Sequence, residues 1–157
     1  MDLALLRLLR TRGHGPVVER AVLMFTRGGE HGLLWLAGSA AGAVLDPARR
    51  PLYLRAIRVV VGAYLTNIAM KYAVRRRRPV LDGLPPLTST VTSLSYPSAH
   101  STTSFAAARV LSSELPPVPV YACATAMAVS RIYAGVHYPT DIAAGAALGT
   151  AMTELVP

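Results

Sequence analysis

Cysteine and acid are both scarce in this chain. The lone Cys123 sits in an apolar run, which excludes a disulfide framework and a cysteine-based metal site. Only 15% of the 157 residues are charged, and 8 acidic side chains face 16 lysines and arginines. A soluble domain carries about a quarter charged residues, so there is too little charge here for an ordinary water-facing surface. Aromatic residues amount to 6% and are not interleaved with the cations, which disfavours a basic nucleic-acid binder. A comfortable apolar span of about 20 residues is also missing, so no single segment declares a membrane protein. The opening "MDLALLRLLRTR" spaces arginines through its leucines and lacks a small-residue cleavage site, so it does not read as a signal peptide.

What is present is apolar sequence in quantity, 52% of residues, with a net charge of +8 that suits anionic lipid better than nucleic acid. The length predicts one domain, residues 1–157. In residues 1–27 the opening leucines recur at helical spacing opposite Arg7 and Arg10. That predicts an amphipathic helix lying in the membrane interface, with a buried core helix as the alternative. Apolar segments follow at residues 32–45, 52–74, 101–113 and 115–130, and a fifth opens with Pro139, well suited to a first helical position. Gly38 with Gly42, and Gly145 with Gly149, stand at the spacing that lets helix backbones approach closely in lipid. The polar faces that a soluble alanine-rich bundle would need are missing. The expected fold is therefore all-α: an integral-membrane helical bundle of about five spanning helices plus the N-terminal interfacial helix. One long connection, residues 79–97, is irregular and long enough to form a rim or lid.

Alternating spans gather one set of helix ends on a single membrane face. Lys71, Arg78, "PSAH" (residues 97–100), "SR" (Ser130 and Arg131), His137 and Asp141 all fall on that face. Two histidines, a carboxylate and three separated cations thus converge. Phosphoryl transfer asks for such a set: fixed cations for the phosphate oxygens, a nucleophile with an orienting base, and an acid for the leaving group.

"KYAVRRRRP" (residues 71–79), "PSAH" and "SRIYAGVHYPTD" (residues 130–141) resemble the three signatures of the type 2 phosphatidic acid phosphatase superfamily, K-x6-R-P, P-S-G-H and S-R-x5-H-x3-D. The internal spacings match, and Ala99 stands where the pattern has glycine. The resemblance implies a membrane phosphatase that uses no metal and no cofactor. In it His137 attacks phosphorus to form a phosphohistidine, Asp141 fixes the tautomer of His137, and His100 protonates the leaving oxygen. Lys71, Arg78 and Arg131 would clamp the phosphoryl oxygens, with Ser98, Ala99 and nearby backbone N–H groups completing the anion site. Arg75, Arg76 and Arg77 are then expected as headgroup anchors, and Tyr133 and Tyr138 as interfacial belt residues. Glu30 and His31, in "GGEHG", are either contacts for a substrate headgroup or a plain helix cap.

Vanadium-dependent haloperoxidases share this motif set but are large soluble proteins. The non-enzyme alternative is a catalytically inactive membrane scaffold, against which every expected catalytic position is filled. The short chain, its arginine- and alanine-rich composition and the "GGEHG…W" stretch resemble small actinobacterial members of the family that dephosphorylate decaprenylphosphoryl-5-phosphoribose, a cell-wall arabinose precursor. Polyprenyl diphosphate, phosphatidylglycerophosphate and phosphatidate are the alternative substrates. The expected partners are a lipid substrate and the bilayer, with no nucleic acid. Arg7, Arg10, Arg12, Arg20, Arg27, Lys71, Arg75, Arg76, Arg77, Arg78 and Arg131 fall on the motif-bearing face, against Arg49, Arg50, Arg55 and Arg58 on the other. That bias predicts a multi-pass inner-membrane protein whose site faces the cytoplasm.

Overall fold

Helices account for every long element, and several of them open at a proline. In a computed structural model, which describes residues 2–156, α1 (Asp2–Arg10) and α2 (Pro16–Gly28) are followed by a 3-10 turn (Glu30–Gly32) and α3 (Leu33–Leu45). A second 3-10 turn (Pro47–Arg49) leads into α4 (Arg50–Val74), and α5 (Ala99–Leu111), α6 (Pro117–Tyr133) and α7 (Pro139–Leu155) complete the chain. Prolines open α2, α4, α6 and α7, where the missing N–H would be unpaired anyway. The described residues form no strand, and the all-α expectation holds.

α5 is the central element. Ten of its 13 residues are buried, against α4, α6 and α7. Its approach to α7 depends on glycine. A Cβ on Gly149 would lie 2.1 Å from the Thr102 carbonyl oxygen, and one on Gly145 would lie 2.6 Å from that of Ser98. The second glycine pair differs from expectation: Gly42 faces the Tyr53 ring, while a Cβ on Gly38 would meet nothing within 4 Å among the described residues. α5 is polar as well as buried, and its hydroxyls are satisfied one by one. Ser101 Oγ donates to the Ile142 carbonyl (2.8 Å), Asn67 Nδ2 donates to Thr102 Oγ1 (2.9 Å), and Trp35 Nε1 donates to Ser104 Oγ (2.8 Å). The hydrophobic core gathers around Val59, Val60, Ala107 and Val110 and includes Trp35.

The outside of the bundle is apolar. Leu33, Leu45, Leu65 and Val118 are 58%, 82%, 60% and 77% exposed, a surface suited to lipid tails rather than water. Among the described residues one stretch, Pro47–Val74, is long and apolar enough to cross a membrane. α2 is held at the end of the bundle, because the Gly13 carbonyl ahead of it and Thr26 in its last turn both bond to the last turn of α6. Tyr133 Oη donates to the Gly13 carbonyl (3.2 Å), while Ser130 Oγ and Arg131 Nη1 donate to Thr26 Oγ1 (2.9 Å each). α1 lies at the same end with Leu3, Leu5 and Leu8 exposed, as an interfacial helix requires. Arg10 departs from the expected polar face. It is buried, and its guanidinium donates to the Pro85 carbonyl (3.1 Å).

Gly149→Ala is expected to destabilise the bundle by about 1–3 kcal/mol, because a methyl group there drives α5 and α7 apart. Gly38→Ala is expected to change stability by less than about 0.5 kcal/mol. Thermal unfolding of both variants in the same detergent checks the contrast, and equal losses would contradict the close approach.

Candidate active site

The basic run changes conformation at Arg75. That residue ends α4 in the left-handed region (φ 55°), returning its N–H to the Lys71 carbonyl at 3.0 Å. Beyond it the backbone is extended and pairs with the long connection: Ser95 N–H donates to the Arg76 carbonyl (2.8 Å), and Arg78 N–H donates to the Ser93 carbonyl (3.2 Å). In extended backbone alternate side chains share a side. Arg76 and Arg78 therefore turn inward, and Arg75 and Arg77 stay exposed.

Three cations line a cavity of about 210 Å³ at this end of the bundle, together with Ala99, His100 and His137. Each is held by oxygen acceptors of the protein. Lys71 Nζ, in the last turn of α4, donates to the Pro97 carbonyl at 3.0 Å and to those of Leu94 and Ser95 at 3.4 Å. Arg78 donates from Nε to the Thr92 carbonyl (2.9 Å) and from Nη1 to the Val136 carbonyl (2.7 Å). Arg131, 4% exposed, donates to Thr26 Oγ1, and its Nε is buried with no hydrogen-bond partner among the described residues.

His137 sits just before α7, 2% exposed. Its Nε2 lies 3.1 Å from Arg78 Nη1. A guanidinium can only donate, so Nε2 is the acceptor and the ring proton belongs on Nδ1. Nδ1 faces Asp141 Oδ2 at 3.5 Å, longer than a normal hydrogen bond. Burial pushes the His137 pKa down to about 3, against the opposing pull of Asp141. Its imidazole is therefore neutral across the physiological range, with the Nε2 lone pair turned toward the cations. Burial likewise lowers Arg78 to about 10, which leaves it charged at neutral pH. His100, near the start of α5, has Nε2 3.0 Å from the Thr26 carbonyl, so Nε2–H is the donor and Nδ1 remains free to exchange a proton.

Several residues depart from their expected places. Ser98 caps α5 and is fully buried, with its N–H donating to the Asp141 carbonyl (3.1 Å); Ala99, not Ser98, lines the cavity. Arg76 is not a free headgroup anchor, because it is ion-paired to both Asp141 and Asp2. Tyr138 lies under the Arg76 guanidinium, 3.9 Å from ring centroid to carbon, and Tyr133 stacks on His14 at 4.0 Å, so neither is a simple belt residue. Glu30 and His31 line the same cavity, and His31 Nδ1 is hydrogen-bonded to Tyr64 Oη. The loop can press against the site because Gly29 has no side chain: a Cβ there would lie 2.7 Å from His100 Cδ2. Thr26 went unnoticed in the sequence, yet its hydroxyl and carbonyl hold Ser130, Arg131 and His100.

An all-α bundle that brings His100, His137 and three cations to one cavity at its end, with Asp141 buried behind His137, defines an anion site built for phosphate-like groups. Residues 52–157 match the PAP2 superfamily, and the chain belongs to that family. It is 43% identical over 121 residues to a protein of Mycolicibacterium smegmatis named decaprenylphosphoryl-5-phosphoribose phosphatase, covering 74% of this chain and 65% of that one. The match thus spans just under two thirds of that relative's length. Among solved structures, Aquifex aeolicus LpxE superposes with a TM-score of 0.84 at 23% identity, covering 99% of this chain and 93% of that one. A transmembrane PAP2-type phosphatidylglycerolphosphate phosphatase from Bacillus subtilis superposes at 0.80 and 24%, covering 99% and 82%. The fold is shared with a transmembrane phosphatase of this family.

Proposed function

We propose that this protein is an integral-membrane lipid phosphatase that hydrolyses a lipid-linked phosphate monoester. The observation that carries the reading is the neutral, buried His137, whose Nε2 stands 3.1 Å from Arg78 Nη1 in a cavity shared with Lys71 and Arg131. His137 Nε2 attacks phosphorus, and the bond to the leaving oxygen breaks as the proton that the phosphate monoanion brings to His100 Nδ1 is handed on to that oxygen. Water then cleaves the phosphohistidine, with His100 as base, and phosphate leaves. Lys71, Arg78 and Arg131 exchange their carbonyl and hydroxyl partners for the phosphoryl oxygens, and the backbone N–H of Ala99, at the start of α5, adds a donor. Asp141 holds the Nδ1–H tautomer, with its contact to His137 shortening as charge develops on the ring.

The name of the Mycolicibacterium relative supports decaprenylphosphoryl-5-phosphoribose as the substrate. Glu30, His31 and Tyr64 at the cavity wall offer acceptors and donors for a hydroxylated headgroup. Phosphate release from detergent-purified protein tests this against a polyprenyl diphosphate, phosphatidylglycerophosphate and phosphatidate. The phosphoribosyl lipid is expected to be turned over fastest, with activity intact in EDTA. Faster release from any of the other three would overturn the substrate, and reversible loss on chelation would overturn the metal-free scheme.

α3 to α7 form five spans, with α1 and α2 lying in the interface at the site-bearing end. Their arginines then count with the basic run, and the bias favours a site on the cytoplasmic side. Ser89, exposed on the 79–97 connection, reports the side directly. In intact cells a Ser89→Cys, Cys123→Ser variant should resist an impermeant maleimide until the membrane is opened. Immediate labelling would put the site outside.

A further inference from the structure

The Asp141 carboxylate is fully buried, and both of its oxygens are in use. Oδ2 accepts from the Tyr138 N–H at 2.9 Å while facing His137. Oδ1 accepts from Arg76 Nη1 at 2.8 Å, so a variable position of the first signature supplies the opposing charge. Arg76, itself half-buried, is held by four neighbours. Nη1 also donates to Thr140 Oγ1 (2.7 Å), Nη2 pairs with Asp2 Oδ2 (2.8 Å), and the guanidinium plane rests on Tyr138. Asp2 in turn accepts from the Thr140 N–H at 3.1 Å, which ties α1 to the first turn of α7. A buried carboxylate stripped of its cation is costly, because an uncompensated charge is left in a dry site. Without Arg76 the side chain would have one backbone N–H and a distant imidazole to hold it, and would relax away from His137.

We propose that Arg76 is a positioning residue: it holds Asp141 ionised and aimed at His137 Nδ1, and Asp2 of α1 holds Arg76 in place. This rests on the phosphohistidine reading above, but its test includes a readout on the resting protein. Lysine can keep one of the two ion pairs and cannot bridge both carboxylates, since a point charge lacks the guanidinium fork. Arg76→Lys is therefore an intermediate and Arg76→Gln the full loss.

The experiment pairs kinetics on decaprenylphosphoryl-5-phosphoribose with 15N NMR of labelled histidine, using His137→Gln to assign the signal. Arg76→Gln should lower kcat by about 10–100-fold, the usual cost of losing a supporting residue, with KM within about twofold. Arg76→Lys should recover part of that loss, Asp2→Asn should show a smaller one, and the exposed Arg77→Gln should show none. In the resting protein His137 should hold a single Nδ1–H tautomer, and in Arg76→Gln it should become a mixture. An unchanged tautomer in Arg76→Gln overturns the proposal, as does a loss that lies wholly in KM or in unfolding that lysine fails to restore. Should the wild-type protein release no phosphate from this lipid, the substrate reading fails and the tautomer result alone decides the role of Arg76.

Discussion

Three like charges side by side, Lys71 and Arg131 buried and Arg78 half-buried, dominate the design of this molecule. Lys71, Arg78 and Arg131 are close enough to repel one another, and each buried ion costs several kcal/mol unless it is compensated. Among the described residues the nearby carboxylates acting on them are Asp141 and Glu30. The remaining compensation comes from backbone carbonyls and the Thr26 hydroxyl. These are weaker partners than a phosphate, and in the proposed reaction an arriving phosphoryl group would exchange dipoles for charge-assisted hydrogen bonds.

Much of the surrounding architecture supplies those partners. The 79–97 connection folds back along the extended run of arginines, so that the Thr92, Leu94, Ser95 and Pro97 carbonyls reach the cations. The Gly145 and Gly149 contacts bring the start of α7 against the start of α5, which sets Asp141 beside Ser98 and places His137 in the cavity. α2, lying across the end of the bundle, closes the remaining side through Thr26. The α5 polarity that weakens it as a hydrophobic segment is spent on holding this junction together.

The sequence made the motif residues and their convergence legible, because alternating spans place helix ends by counting alone. The all-α class and the starts of α5, α6 and α7 followed from apolar segments and prolines to within two residues or so. What the sequence did not yield depends on backbone direction and distant contact. Motif register singles out Arg78 and leaves Arg76 among the headgroup anchors, whereas an extended run ending at proline puts both on one side. Thr26 carries no local signal, since its importance lies in contacts more than a hundred residues away. Ser98 lies within a signature, but its place as the cap of α5 depends on the exact first residue of that helix, which propensity does not define.

The central claim is that His137 is the group that takes the phosphoryl transfer. Rapid acid-free quenching of a single turnover, with substrate carrying 32P on the terminal phosphate, tests it most directly. The account predicts transient label on the protein that survives alkali, is lost in acid, maps to the peptide containing His137 and is absent from His137→Gln. Full turnover with no such label, or label on a different residue, would contradict it.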